Sequence, residues 1–213
     1  MNILSIEFSS NHRGLAALSG GRVVAELRQE GARGPAPLAL VSDLLKGAGW
    51  DAGDVDSIAI GLGPGSHTGV RSAIALAQGW QAARGTPSRG VLSVEVMAWG
   101  AWRAGWRGGL HLVVDAQQRQ VCHRCFQLGE SGPTQASELR IVDPAAIVPG
   151  VGELVAGPEV RRWFPEGVEL FPSAVELGVL AEGLGFEAAA ERLEPVHLRE
   201  VAFVKAPAPR IIM

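Results

Sequence analysis

The sequence predicts a two-lobed α/β protein whose second lobe is reduced. Three observations carry that expectation. An apolar strand that ends in an acid and runs into a polar turn occurs twice, at residues 3–8 with Glu7 and at residues 110–115 with Asp115. A buried strand at 57–60 leads through a glycine-dense loop into a helix, which is an α/β crossover unit. Residues 129–175 carry Pro133, Pro144, Pro149, Pro158, Pro165 and Pro172 and only short apolar runs, the mark of a loop-rich lobe.

The elements follow in order. Residues 3–8, 15–18 and 23–27 are short apolar runs separated by polar or Gly20-Gly21 turns, and they read as a three-stranded meander. Residues 28–37 are rich in glycine and proline and form a loop. Leu38, Val41, Leu45 and Ala48 fall at helical spacing, so 38–49 is a helix closed by Gly49. The strand at 57–60 and the loop at 61–69 precede a helix over 69–84. Pro87 and Gly90 break the pattern, which places the lobes at 1–90 and 91–213. In the second lobe a strand at 110–115, a turn at 117–119 and a strand at 121–127 repeat the opening of the first. Glu7 and Asp115 take the same place in the two units.

Composition narrows the function. Of the 213 residues 47% are hydrophobic and 19% charged, which excludes a disordered chain. No run approaches about 18 apolar residues, so no membrane span is expected, and the N-terminus lacks the basic region and cleavage site of a secretory signal. The net charge is −3, and Arg161-Arg162 is the sole basic cluster, so direct tRNA or other nucleic-acid binding is not expected. Only Lys46 and Lys205 are lysines. Cys122 and Cys125 are too few for a disulfide framework and fit a reducing cytoplasm.

The stretch from Gly61 through Gly63-Pro64-Gly65-Ser66-His67-Thr68-Gly69-Val70-Arg71 is the richest in information. Its glycines permit positive φ and close backbone approach. Ser66 or Thr68 would cap the following helix, whose N-terminus favours an anion. No lysine precedes a Ser or Thr, which rules out a Walker A loop; Ser66 and Pro64 break the dinucleotide and nucleophile-elbow patterns. A tight strand-to-helix turn is the plain alternative. Cys122-His123-Arg124-Cys125 has zinc-like spacing, but residues three apart on a strand face opposite ways and no second pair exists. The five histidines have no metallopeptidase spacing. No metal site is expected. On the helix over 69–84, Val70, Ile74 and Ala77 form one apolar stripe and Ala73, Leu76, Trp80 and Ala83 a second, a width that implies burial on two sides.

The run G-P-G-S-x-T-G-V-R, after an N-terminal I-L-x-I-acid strand, resembles the bacterial TsaB (YeaZ) family. Gly90-Val91-Leu92-Ser93-Val94-Glu95, Val114-Asp115-Ala116 and Pro195-Val196-His197-Leu198-Arg199 resemble further family segments in the same order. The resemblance implies an actin-like ATPase-domain (ASKHA, ribonuclease H-like) fold and a role as the non-catalytic partner in forming threonylcarbamoyladenosine at position 37 of ANN-decoding tRNAs. It implies no catalytic residue in this chain and no tightly bound cofactor, with ATP and metal on the catalytic partner. Expected partners are a TsaD-type catalytic subunit and a TsaE-type ATPase, with a homodimer when alone and tRNA reached only through the complex. The interface would be Leu38, Val41, Leu45, Arg71, Ala73, Leu76, Trp80 and Ala83. Glu7, Ser9, Gly63, Gly65, Ser66, Thr68 and Asp115 would line a degenerate nucleotide or anion site. The chain departs from the family where Glu7 replaces Asp, Gln118-Arg119-Gln120 replaces R-x-G-E, His197 replaces Tyr, and Ala36-Pro37 stand in place of His-Ser. Alternatives are a small-molecule kinase on the same fold, which would need a working phosphate clamp, and a metallopeptidase-like protein, which would need metal ligands.

Overall fold

The computed structural model describes residues 1–31, 36–186 and 193–199. The opening meander is present as β1 (Asn2–Glu7), β2 (His12–Ser19) and β3 (Arg22–Glu30). Helix α1 (Pro37–Ala48) starts on a proline, whose missing N–H costs nothing in a first turn, and stops at left-handed Gly49. Strand β4 (Ser57–Gly61), helix α2 (His67–Arg84) and β5 (Ser88–Val91) complete a five-stranded sheet of order β3-β2-β1-β4-β5. β1 pairs antiparallel with β2 and parallel with β4.

Helix α3 (Ser93–Arg103) leads into the second sheet, built from β6 (Gly108–Asp115), β7 (Val121–Gly129), β8 (Gly132–Gln135), β9 (Arg140–Val142), β10 (Leu154–Gly157) and β11 (Val168–Glu169). Its order is β11-β10-β6-β7-β8, with β9 on β7. Again the first strand pairs antiparallel with its hairpin partner and parallel with the crossover strand. The repeat read from the sequence is thus present in the topology: the two sheets share one strand order and one pattern of pairing. The reduction is equally visible. Where the first lobe has α1 and α2, the second has single 3-10 turns at Pro144–Ala146 and Val160–Arg162.

Each sheet is packed on both faces. Leu4, Ile6, Leu15, Ile58 and Ile60 meet α1 and α2 on one side of the first sheet. On the other side Ile3, Leu18 and Ala59 meet Ala174, Leu177 and Ala181 of α4 (Ala174–Leu184). Thus α4 follows the second sheet in sequence but covers the first, which the linear division at residue 90 does not anticipate. The second sheet packs Leu110, Leu112, Phe126 and Leu128 against Val94, Met97 and Ala98 of α3. No helix among the described residues is long and apolar enough to cross a membrane.

Candidate functional site

The two lobes meet at the ends of β1 and β6, and two cavities of about 300 and 290 Å³ open there. Gly63, Gly65 and Asp115 line the larger, together with Cys122 and Arg199. Ser9, Gly65, Ser66 and Asp115 line the smaller, with Arg13 and Glu159. The structure thus gathers five of the seven expected cleft residues. Glu7 and Thr68 line neither cavity.

Glu7 is wholly buried. Its Oε1 accepts the Ser9 N–H at 2.8 Å and its Oε2 accepts the Ser93 hydroxyl at 2.9 Å; Ser93 Oγ in turn accepts the Gly63 N–H at 3.2 Å. Burial pushes the Glu7 carboxyl above its ordinary value, against the lowering effect of these hydrogen bonds. A Cβ at Gly61 would collide with this carboxylate, so the glycine makes room for it. Glu7 is a brace between the first strand, the glycine loop and α3. Alternation along the strands explains why its duplicate differs: Glu7 shares a face with Ile3, towards α4, whereas Asp115 shares a face with Val113, away from α3. The two acids match in sequence position and not in side-chain direction. Asp115 accepts the Gln117 N–H at 2.7 Å and pairs with Arg162 at 3.0 Å.

The close approach that the glycines permit is to the chain itself. Ser66 N–H donates to Ser9 O at 2.6 Å. A Cβ at Gly65 would strike the Ser9 carbonyl oxygen, and one at Gly69 the Phe8 carbonyl oxygen. Ser66 caps α2 by accepting the Gly69 N–H at 3.2 Å. The loop that elsewhere would cradle a phosphate is packed onto the β1–β2 turn.

The far wall of the larger cavity is residues 195–199, which follow Leu193. Leu193 enters the core of the first lobe, Leu198 packs against that of the second, and Val196 N–H donates to Leu62 O at 3.1 Å. Arg199 reaches Gln118 Oε1 at 2.6 Å, Ala116 O at 2.9 Å and Gln120 Oε1 at 3.0 Å. These bonds tie it to the turn in which three successive non-glycine residues, Gln117, Gln118 and Arg119, stand at φ 63, 53 and 60°. Burial pushes the neighbouring Cys122 thiol up to about 11, which favours its protonated form.

On the helical face, the expected interface residues differ in their exposure. Val41, Leu45 and Ala73 are buried in the first lobe's own core, and α2 buries one stripe, Val70, Ala73, Ile74 and Ala77. Of the second stripe only Ala73 is buried. Leu76 and Trp80 lie at the margin, half-buried against the same core. Arg71 and Ala83 are exposed, and Leu38 is 64% exposed.

Sequence spacing missed one cluster. His111, His123 and Cys125 converge on the outer face of the second sheet, where the β6–β7 register sets His111 opposite Cys125. Cys122, as expected for a strand, points to the opposite face. The available signal was the hairpin itself, since His111 and Cys125 are equidistant from Gln118 in the turn.

Residues 37–203 match the family model described as TsaD, tRNA N6-adenosine threonylcarbamoyltransferase. The tRNA threonylcarbamoyladenosine biosynthesis protein TsaB of Escherichia coli (strain K12) is 30% identical, over 97% of this chain and 99% of that protein. Two solved structures from Pseudomonas aeruginosa, each 28% identical, superpose over nearly their whole length. YeaZ gives a TM-score of 0.76 over 92% of this chain and 99% of that one. A protein described as similar to peptidase YEAZ gives 0.78 over 93% and 99%.

Proposed function

Because the chain belongs to the TsaB (YeaZ) family, which acts in threonylcarbamoyladenosine biosynthesis, we propose that it is the non-catalytic scaffold subunit of that pathway. In this reading it supports a TsaD-type subunit that modifies adenosine 37 of ANN-decoding tRNAs, alongside a TsaE-type ATPase, in the cytoplasm. ATP, metal and tRNA are handled by the partners, and the isolated chain pairs with itself.

One observation carries the non-catalytic part. The strand-end acid and the glycine loop, which a phosphotransferase of this fold would turn towards nucleotide, are occupied by the chain's own groups. Glu7 is held by Ser9 and Ser93, and Gly65 and Gly69 lie on the carbonyls of Ser9 and Phe8. For the partner-facing surface the exposed Leu38, Arg71 and Ala83, with the margin residues Leu76 and Trp80, are the residues to test.

The experiment is reconstitution of tRNA modification from TsaD-type and TsaE-type subunits, ATP and substrates, with and without this chain. Modification should require the chain, and the chain alone should hydrolyse no ATP. ATP turnover by the pure chain that disappears in Asp115→Ala would overturn the scaffold reading in favour of the kinase.

A further inference from the structure

The geometry points to a zinc-type metal site on the outer face of the second sheet, with His111 Nδ1, His123 Nε2 and Cys125 Sγ as its three protein ligands. It lies away from the cleft and is independent of the scaffold reading. The three atoms stand 3.0 Å apart for the nitrogen pair and 3.4 Å for each nitrogen–sulfur pair. Tetrahedral coordination at ordinary Zn–N and Zn–S lengths requires separations of about 3.3 Å and about 3.6 Å. The cluster is within a few tenths of an ångström of that triangle before any ion enters.

The surroundings fit a metal as well. His111 Nε2 lies 2.8 Å from Glu153 Oε2, which places the ring proton on Nε2 and leaves the Nδ1 lone pair facing the cluster. A carboxylate behind a ligating imidazole is the usual orienting arrangement. Glu153 is itself fixed: its Oε2 accepts the Gly150 N–H at 2.7 Å, and a side chain at Gly109 would collide with it. His111 and His123 are buried, so the site is largely shielded from solvent. The donor set of two imidazoles and a thiol selects zinc over magnesium or calcium, which take oxygen ligands. On binding, the Cys125 thiol gives up its proton to solvent, and His123 moves its ring proton to Nδ1. The charged groups facing the site are Glu153, which favours the cation, and Arg140 of β9, paired opposite His123, which opposes it. The fourth position is left to water. An ion here would clamp the β6–β7 hairpin, and through Glu153 would hold the segment leading into β10.

The test uses the full chain, stripped of metal and kept reduced, titrated with Zn²⁺ by calorimetry and with Co²⁺ by absorbance. One ion per chain should bind, Co²⁺ should give the visible bands of a tetrahedral site together with a thiolate charge-transfer band, and Zn²⁺ should raise the melting temperature. Cys125→Ser should abolish both the charge-transfer band and stoichiometric binding, and His123→Ala should abolish binding. Glu153→Gln should weaken affinity about 10–100-fold, and Cys122→Ser should bind as wild type does. The thiolate band is read on the wild-type chain, so the result stands even where a variant folds poorly. Absence of stoichiometric binding, binding retained in Cys125→Ser, or binding lost in Cys122→Ser would each overturn the assignment.

Discussion

Replacing Gly69 with alanine sets two physical effects of opposite sign against each other. Gly69 is in the first turn of α2, where helix propensity alone favours alanine by about 1 kcal/mol. Its missing Cβ, however, is the space taken by the Phe8 carbonyl, a backbone group that cannot swing aside as a side chain would. Relieving the overlap moves the helix start away from the β1–β2 turn. Such overpacking costs about 1–3 kcal/mol, and the 2.6 Å Ser66–Ser9 hydrogen bond, worth about 1 kcal/mol, is lost with it. The net expectation is a loss of about 1–3 kcal/mol, or a melting temperature lower by about 2–12 °C for a chain of this size. Gly79, in the same helix, has nothing within 4 Å of its would-be Cβ. There alanine should raise the melting temperature by about 2–4 °C. The assay is a pair of thermal melts beside wild type, with urea unfolding to obtain free energies. If Gly69→Ala melts at or above wild type, the glycine loop is not held against the β1–β2 turn, and the account of a loop occupied by the chain's own carbonyls fails with it.

Four further outcomes follow from the same structure. The folded-state pKa of Glu7 is raised above its ordinary 4.5, so the unfolded chain binds fewer protons and stability falls as pH rises from 4.5 towards the folded value; Glu7→Gln should gain on wild type across that window in melts from pH 4 to 8, and a pH-independent difference would refute the shift. Ile74→Glu, which buries an unpaired charge in the first-lobe core, should cost several kcal/mol and unfold the lobe. Leu38→Glu should melt as wild type does yet weaken partner capture at least about 10-fold, and equal capture by both proteins would remove Leu38 from the interface. Asp115→Asn keeps an acceptor for the Gln117 N–H and loses an ion pair whose arginine is 64% exposed, so it should change stability by about 0–1 kcal/mol and leave reconstituted modification intact.

What could be read from the sequence depended on whether a pattern is local. The meander, α1, the strand–loop–helix unit and the repeated strand-and-turn show as short-range periodicity and turn chemistry, and each forms near its expected place. The glycines at 65 and 69 were legible as sites of close approach, but a missing Cβ serves a phosphate and a carbonyl alike. Only the position of Phe8 and Ser9 decides between them. A helical wheel likewise shows two apolar stripes on α2 without showing that Ala73 belongs to the buried one and that Leu76 and Trp80 edge the same core. The return of α4 to the first sheet, and the meeting of His111 with His123 and Cys125, join residues through tertiary packing and strand register. Periodicity carries no trace of the first, and carries the second only after the hairpin has been paired residue by residue.

The reduction of the second lobe and the chemistry on its outer face are connected. In the first lobe, the sheet face opposite α4 is sealed by α1 and α2, which bring Leu40, Leu44, Val70 and Ile74 onto Leu4, Ile6 and Ile60. The matching face of the second sheet has two 3-10 turns in place of those helices, and the apolar cover shrinks to Ile147 and Val160 over Val113 and Val121. The same face continues along β6 and β7 to His111, His123 and Cys125, beyond the reach of that small cluster. Among the described residues no α-helix covers this face, and beside its small apolar cluster a short polar chain runs from Glu153 through His111 to His123. Hydrogen bonds between neutral groups contribute about 1 kcal/mol each, whereas a metal held by two imidazoles and a thiolate couples its binding free energy directly to folding. An ion at the proposed site would therefore add its binding free energy on the face where 3-10 turns stand in place of the two helices.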